Sequence, residues 1–186
     1  GEISDFSSRC GLAQDFCIAA PGELVIAAYP TSSNDTGIYD SSDACVQNNS
    51  CYARVNGTSF AAPFVSGSLA VMFDFFEGQL GSEELVERLF ATANKEGIYS
   101  NASIYGQGLL DLDAATSPVG SLMVNVSNDL FGEKILLGKS GINFYGNLIS
   151  DSIQNGLTSK SLIAIDELNS PFRIPIQNIV AFQNNG

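Results

Sequence analysis

From Ser59 to Phe76 the chain is apolar on nearly every side, with no polar face at helical spacing. Such a run predicts a helix buried all round, beginning near Thr58 and ending near Gly78. Beyond it, Leu85, Leu89 and Ala93 recur every fourth residue, which predicts an amphipathic helix over 82–94. Ser82 is placed to cap that helix, and Glu83 and Glu84 complement its dipole. Earlier in the chain, the apolar segments Phe16–Ala20 and Leu24–Tyr29 flank Pro21-Gly22 and predict two short strands around a turn. Residues 31–51 have no hydrophobic period and read as a long surface loop. Tyr105–Leu112, with glycines at 106 and 108, reads as a turn into a short strand. Ser117-Pro118-Val119-Gly120 marks a boundary, dividing residues 1–117 from a β-rich appendage over 118–186. Strands are predicted there at 122–126, 134–137, 142–145, 161–165 and 172–176.

Composition narrows what such a chain can do. With 186 residues, 45% hydrophobic and 15% charged, it is long and apolar enough to build a core and unlike a disordered segment. Eight basic against twenty acidic residues give a net charge of −12, which makes nucleic acid and anionic membrane surfaces poor partners. The stretch Phe60–Phe76 is interrupted by Pro63, Ser66, Gly67, Ser68 and Asp74 and is shorter than the ~20 apolar residues of a bilayer span, so no transmembrane helix is expected. The chain opens on Gly1 without a leader pattern and is expected to be a piece of a longer one. Most restrictive, it has no histidine, which removes the commonest general base and metal ligand.

The four cysteines come as two local pairs, Cys10 with Cys17 and Cys45 with Cys51. Two short disulfide loops are the simplest reading, although four cysteines allow three connectivities. Each loop would constrain the unfolded chain by about 2 to 2.5 kcal/mol and would place the protein in an oxidising compartment. A zinc site would need closer pairs than these, so no metal and no cofactor is expected. The acidic loop residues Asp35, Asp40 and Asp43 match no EF-hand spacing and read as solvated carboxylates.

Chemistry concentrates in Asn56-Gly57-Thr58-Ser59-Phe60-Ala61-Ala62-Pro63. A serine in the first turn of a helix sits where unpaired N–H groups and the positive end of the dipole converge. Its own N–H is placed to stabilise an oxyanion while its hydroxyl acts as nucleophile. Gly57 permits close backbone approach, and Ala61 and Ala62 permit tight packing. The alternative, that Thr58 and Ser59 merely cap a core helix, stays open on G-T-S alone.

The whole octapeptide resembles the subtilisin-like serine proteases, whose G-T-S-x-A-x-P motif carries the nucleophile. Asp5-Phe6-Ser7-Ser8 leading to Ala20-Pro21-Gly22, and Tyr105-Gly106-Gln107-Gly108-Leu109-Leu110-Asp111, are similar to two further elements of that family in the same order. The resemblance implies an α/β fold: the C-terminal portion of a parallel-sheet domain, followed by a small β-rich segment. It also implies that Ser59 is the nucleophile, that Asn56, Gly57 and Thr58 lie on the substrate-binding side, and that the substrate is a polypeptide. The family's Asp, His and oxyanion Asn precede every matched segment, so the upstream half of the domain is an expected partner and this chain alone is expected to be inactive. The stretch from Gly108 to Gly120, and more loosely Phe131-Gly132, Ile163–Asp166 and Pro171-Phe172, resembles the subtilase passengers of Gram-negative autotransporters. That likeness implies secretion or display at the cell surface, with an outer-membrane β-barrel as a possible downstream partner. A second reading is a catalytically inactive extracellular binding or adhesion module. Phe64, standing where the family often has His after the motif proline, leaves room for it.

Overall fold

The computed structural model describes residues 2–29, 51–125, 134–137, 142–145, 156 and 159–183. The chain forms two compact units, one of residues 1–73 and 82–115 and the other of residues 74–81 and 116–186.

In the first unit, strands β1 (Val25–Tyr29) and β2 (Cys51–Val55) pair antiparallel, from Val25↔Val55 to Tyr29↔Cys51. The described residues of this unit therefore contain no parallel sheet. A parallel contact exists at one residue pair, the bridge Ala19↔Leu109. The strand expected over Phe16–Ala20 is also reduced. Gly11–Phe16 wind into a 3-10 segment closed by the Cys10–Cys17 disulfide, with Cα atoms 5.8 Å apart, which leaves Ile18 and Ala19 to form single bridges. The Cys45–Cys51 pairing lies outside the described residues.

Helix α1 (Thr58–Phe75) follows two residues after β2. It is not buried all round. Ser68 and Met72, one turn apart, are its buried residues, whereas Phe64, Val71, Phe73 and Phe75 are between 43% and 56% exposed. A helix with apolar residues on nearly every side is prepared for burial all round, and this chain covers one stripe of it, at Ser68 and Met72. By length and composition alone α1 is apolar enough to cross a membrane, a test that core helices of soluble proteins also pass.

Helix α2 (Ser82–Thr92) buries Leu85 and Leu89, with Ala93 buried just past its end. Ser82 is its first helical residue rather than a flanking cap. On the same face Arg88 is 2% exposed, and its Nε donates to the Ala115 carbonyl at 2.7 Å, in the last turn of helix α4 (Leu112–Thr116). A guanidinium there meets both an orphan carbonyl and the negative end of a helix.

The segment after helix α3 (Ala102–Tyr105) is a hydrogen-bonded spine. The Gln107 N–H donates to Cys17 O at 2.8 Å, the Ala19 N–H to Gly108 O at 2.9 Å, and the Leu110 N–H to Ala19 O at 2.8 Å. Leu109 exchanges two backbone bonds with Asn94 at 2.8 and 2.9 Å. Gly106 has φ +61°, and a Cβ there would stand 2.1 Å from the Cys17 carbonyl oxygen, so glycine is dictated by both conformation and space. Instead of continuing into a strand, the chain turns helical at Leu112. The Asp111 Oδ1 accepts the Ala114 N–H at 2.9 Å and caps α4.

The second unit is mostly β. Strands β3 (Met123–Asn125), β4 (Lys134–Leu136), β6 (Ser161–Ile165) and β7 (Pro171–Pro175) form an antiparallel sheet in the order β4-β3-β6-β7. Strand β5 (Ile142–Tyr145) pairs in parallel with β8 (Val180–Gln183), a strand the sequence pattern did not predict because its apolar run is so short. Phe76, Ala164 and Phe172 are buried, and the Phe75, Phe76 and Phe172 rings meet edge to face at 4.9 to 6.1 Å. The β6–β7 hairpin is tied by Asp166, which is fully buried. Its Oδ1 accepts the Leu168 and Ser170 N–H groups at 3.0 and 2.9 Å, and its Oδ2 accepts the Val119 N–H at 3.0 Å. A carboxylate taken out of water is tolerable when backbone donors replace its hydration.

Candidate active site

The candidate site sits where β2 gives way to α1. Val55, the last residue of β2, is 2% exposed, which anchors the strand end in the core of the first unit. Asn56 and Gly57 then turn the chain into the helix. Gly57 has φ +152°, a backbone region essentially reserved for glycine. Its N–H donates to the Gly22 carbonyl at 2.7 Å, and its carbonyl accepts the Phe60 N–H at 3.0 Å. The side-chain carbonyl of Asn56 accepts the Leu24 N–H at 2.6 Å. The turn Pro21–Leu24 and the turn Asn56–Gly57 therefore hold one another at two points.

Thr58 and Ser59 open α1, and both are exposed. As the second helical residue, Ser59 belongs to the first turn, whose N–H groups have no partner within the helix. Four residues on, Pro63 lacks the N–H that would otherwise meet the Ser59 carbonyl, so the helical ladder is thinned right behind the hydroxyl. Thr58, Ala61, Ala62 and Val65 line one side of a cavity of about 530 Å³, and Pro21 and Leu109 line another. The arrangement presents the Ser59 hydroxyl at the positive end of an 18-residue helix, and it is the neighbouring Thr58, not Ser59, that lines the largely apolar recess. It does not present a base, because the sequence has no histidine to take the serine proton.

Asn56, Gly57, Thr58 and Ser59 are thus brought together, but not equivalently. Ser59 and Thr58 are open, Gly57 is bound through its backbone, and the Asn56 side chain is engaged with Leu24. Cys10 and Cys17 line the same cavity as Thr58, and the Cys17 carbonyl ties the far end of the Cys17–Ala20 segment to the spine at Gly106–Leu110. Cys45 lies outside the described residues, and Cys51 opens β2. Among the described residues no group of three or more His, Cys, Asp or Glu could hold a metal ion. Two participants were not visible in the sequence: Leu24, which has φ +54° and donates to Asn56, and Gly22, whose carbonyl receives Gly57. The Pro21-Gly22 turn signal announced a turn there but not what it grips.

The model of the subtilase family, peptidase S8, matches residues 1–108. The chain is 28% identical over 116 residues to Serotype-specific antigen 1 of Mannheimia haemolytica, covering 62% of this chain and 11% of that protein. It is 27% identical over 124 residues to the Extracellular serine protease of Serratia marcescens, covering 63% and 12% respectively. Subtilisin DY of Bacillus licheniformis is 29% identical over 98 residues, covering 53% of this chain and 28% of that protein. The chain therefore spans between 11% and 28% of the length of these relatives. No solved structure matches it.

Proposed function

Because the chain belongs to the subtilase family, we propose that it carries the nucleophile of a secreted serine endopeptidase whose remaining catalytic groups lie in another part of the same protein. The observation that carries this proposal is the exposed Ser59 in the first turn of α1, on a turn held by Gly22 and Leu24. In the reaction, an upstream His takes the Ser59 proton as Oγ attacks the scissile carbonyl. The tetrahedral oxyanion is held by the Ser59 N–H and an upstream Asn. Collapse breaks the C–N bond, the departing amine takes the proton from the His, and water then hydrolyses the acyl-enzyme to restore Ser59. Gly57 and Thr58 border the bound polypeptide.

The chain is then the C-terminal part of a parallel-sheet domain, and the Ala19↔Leu109 bridge runs in that sense. The half-exposed Phe64, Val71 and Phe73 of α1 form the surface on which the upstream half packs, since an apolar helix side left in water forgoes its hydrophobic stabilisation. Secretion is supported by the Cys10–Cys17 disulfide and by the relative named an extracellular serine protease. A Gram-negative cell-surface protein with a downstream β-barrel is the setting that the resemblance to autotransporter passengers implies.

The test is Ser59→Ala in the complete parent protein, assayed on a peptide substrate alongside its melting temperature. Turnover is expected to fall by ~10⁴-fold or more with the melting temperature unchanged. Retained turnover would remove Ser59 from the mechanism.

A further inference from the structure

Leu24 is an unusual residue to find at φ +54°, because a side chain with a branched γ-carbon gains nothing from the left-handed region and pays a steric penalty there. Packing does not explain it, since Leu24 is 57% exposed. What holds it is the Asn56 side chain, whose Oδ1 accepts the Leu24 N–H at 2.6 Å across 32 residues of sequence. The contact lies immediately beyond the Val25↔Val55 pair, where the backbone ladder of β1 and β2 stops. Two residues before Leu24, the Gly22 carbonyl receives the Gly57 N–H at 2.7 Å, and Gly57 is itself in a conformation that needs fixing from both sides. Asn56 is thus bonded to Leu24, and Gly22, two residues before Leu24, is bonded to Gly57, two residues before Ser59.

We infer that Asn56 is a positioning residue for the nucleophile turn, acting through Leu24, and not a contact to substrate. The inference rests on the protease reading given above. Its chemistry is simple: a nucleophile and an oxyanion donor on one helix end work only when the turn feeding that helix is held to within about 0.5 Å. Removing Oδ1 lets Leu24 relax to negative φ, draws Gly22 off Gly57 and loosens the first turn of α1. Substrate affinity, to which Gly57 and Thr58 contribute only part of the bordering surface, changes far less than the rate.

The experiment uses the complete parent protein and reads kcat and KM separately on a peptide substrate, with the rate of Ser59 labelling by a fluorophosphonate as a second readout. Asn56→Ala is expected to lower kcat and the labelling rate about tenfold while KM stays within twofold. Adding Leu24→Gly to that variant is expected to recover at least threefold of the loss, because glycine adopts φ > 0 without help. A substrate-contact role would not produce that rescue. Should Asn56→Ala alone fail to fold, the double variant carries the test: folded, with KM within twofold of the parent, it supports the inference. A raised KM with kcat unchanged, no change in either, or no recovery in the double variant overturns it while leaving the protease reading intact. A folded wild-type parent that neither turns over peptide nor labels at Ser59 overturns both together.

Discussion

Gly106 shows how much a single residue can hold. It brings the Cys17 carbonyl to a distance at which any Cβ would collide, and through that approach the spine at Gly106–Leu110 receives the Cys17–Ala20 segment that runs on to the Pro21-Gly22 turn. Gly106→Ala combines a backbone clash with a disfavoured φ, and is expected to destabilise the fold by about 3 kcal/mol, read as a lowered denaturation midpoint. A loss under ~0.5 kcal/mol, the range of an ordinary surface substitution, would mean the spine yields easily. At this scale the sequence was most legible. Asn56–Ser59 and the Tyr105–Gly108 glycines announce themselves because glycine, hydroxyl and helix terminus are local requirements, written into a few adjacent positions. The Leu24–Asn56 bond was illegible, because nothing local to Leu24 betrays a left-handed residue and its partner lies 32 positions away.

Some elements were legible in existence but not in environment, while β2, β8 and the helix at Leu112 were not legible at all. The 3.6-residue period of α2 and the alternation of β6 come from the chain's own pattern, and both occupy close to their expected spans. Strand direction is set by where the chain returns after residues 30–50, which no pattern within β1 or β2 encodes, so the antiparallel pair could not be read beforehand. The surroundings of α1 could not be read either: an all-apolar helix states that every side wants cover, not which sides its own chain provides. In the proposed arrangement, where the upstream half covers the remaining sides, Val71 is a core residue of the parent although it is 50% exposed here. Val71→Asp in the parent is therefore expected to cost about 3 kcal/mol or more, measured by chemical denaturation, since a buried charge without a partner is among the most expensive substitutions. A cost below about 0.5 kcal/mol would place that side of α1 in water in the parent as well.

At the scale of the whole molecule, the chain forms two compact units. The family match at residues 1–108 covers the Asn56–Ser59 turn, α2 and the spine as far as Gly108, and it also takes in residues 74–81 of the second unit, whose core includes Phe76, Ala164 and Phe172. Its surface pair Glu77–Arg173, at 2.7 Å and more than half exposed on both sides, raises the arginine pKa chiefly through the hydrogen bond from the guanidinium to the Glu77 carboxylate. A raised pKa on a cation gives stability that is complete below the unfolded value and fades only as pH climbs through the folded one, far above neutrality, and the exposed pair is screened by salt. The absence of histidine has a larger consequence for the molecule as a whole: the histidine of the proposed mechanism has to come from outside these 186 residues. Ser59 as an activated nucleophile is the central claim, and the most direct measurement treats the folded parent protein with a fluorophosphonate and maps the modified peptide by mass. A single adduct on the peptide containing Ser59, formed with loss of fluoride and absent after denaturation, is the predicted result. A folded parent with no adduct at Ser59 would contradict it and favour the inactive binding module.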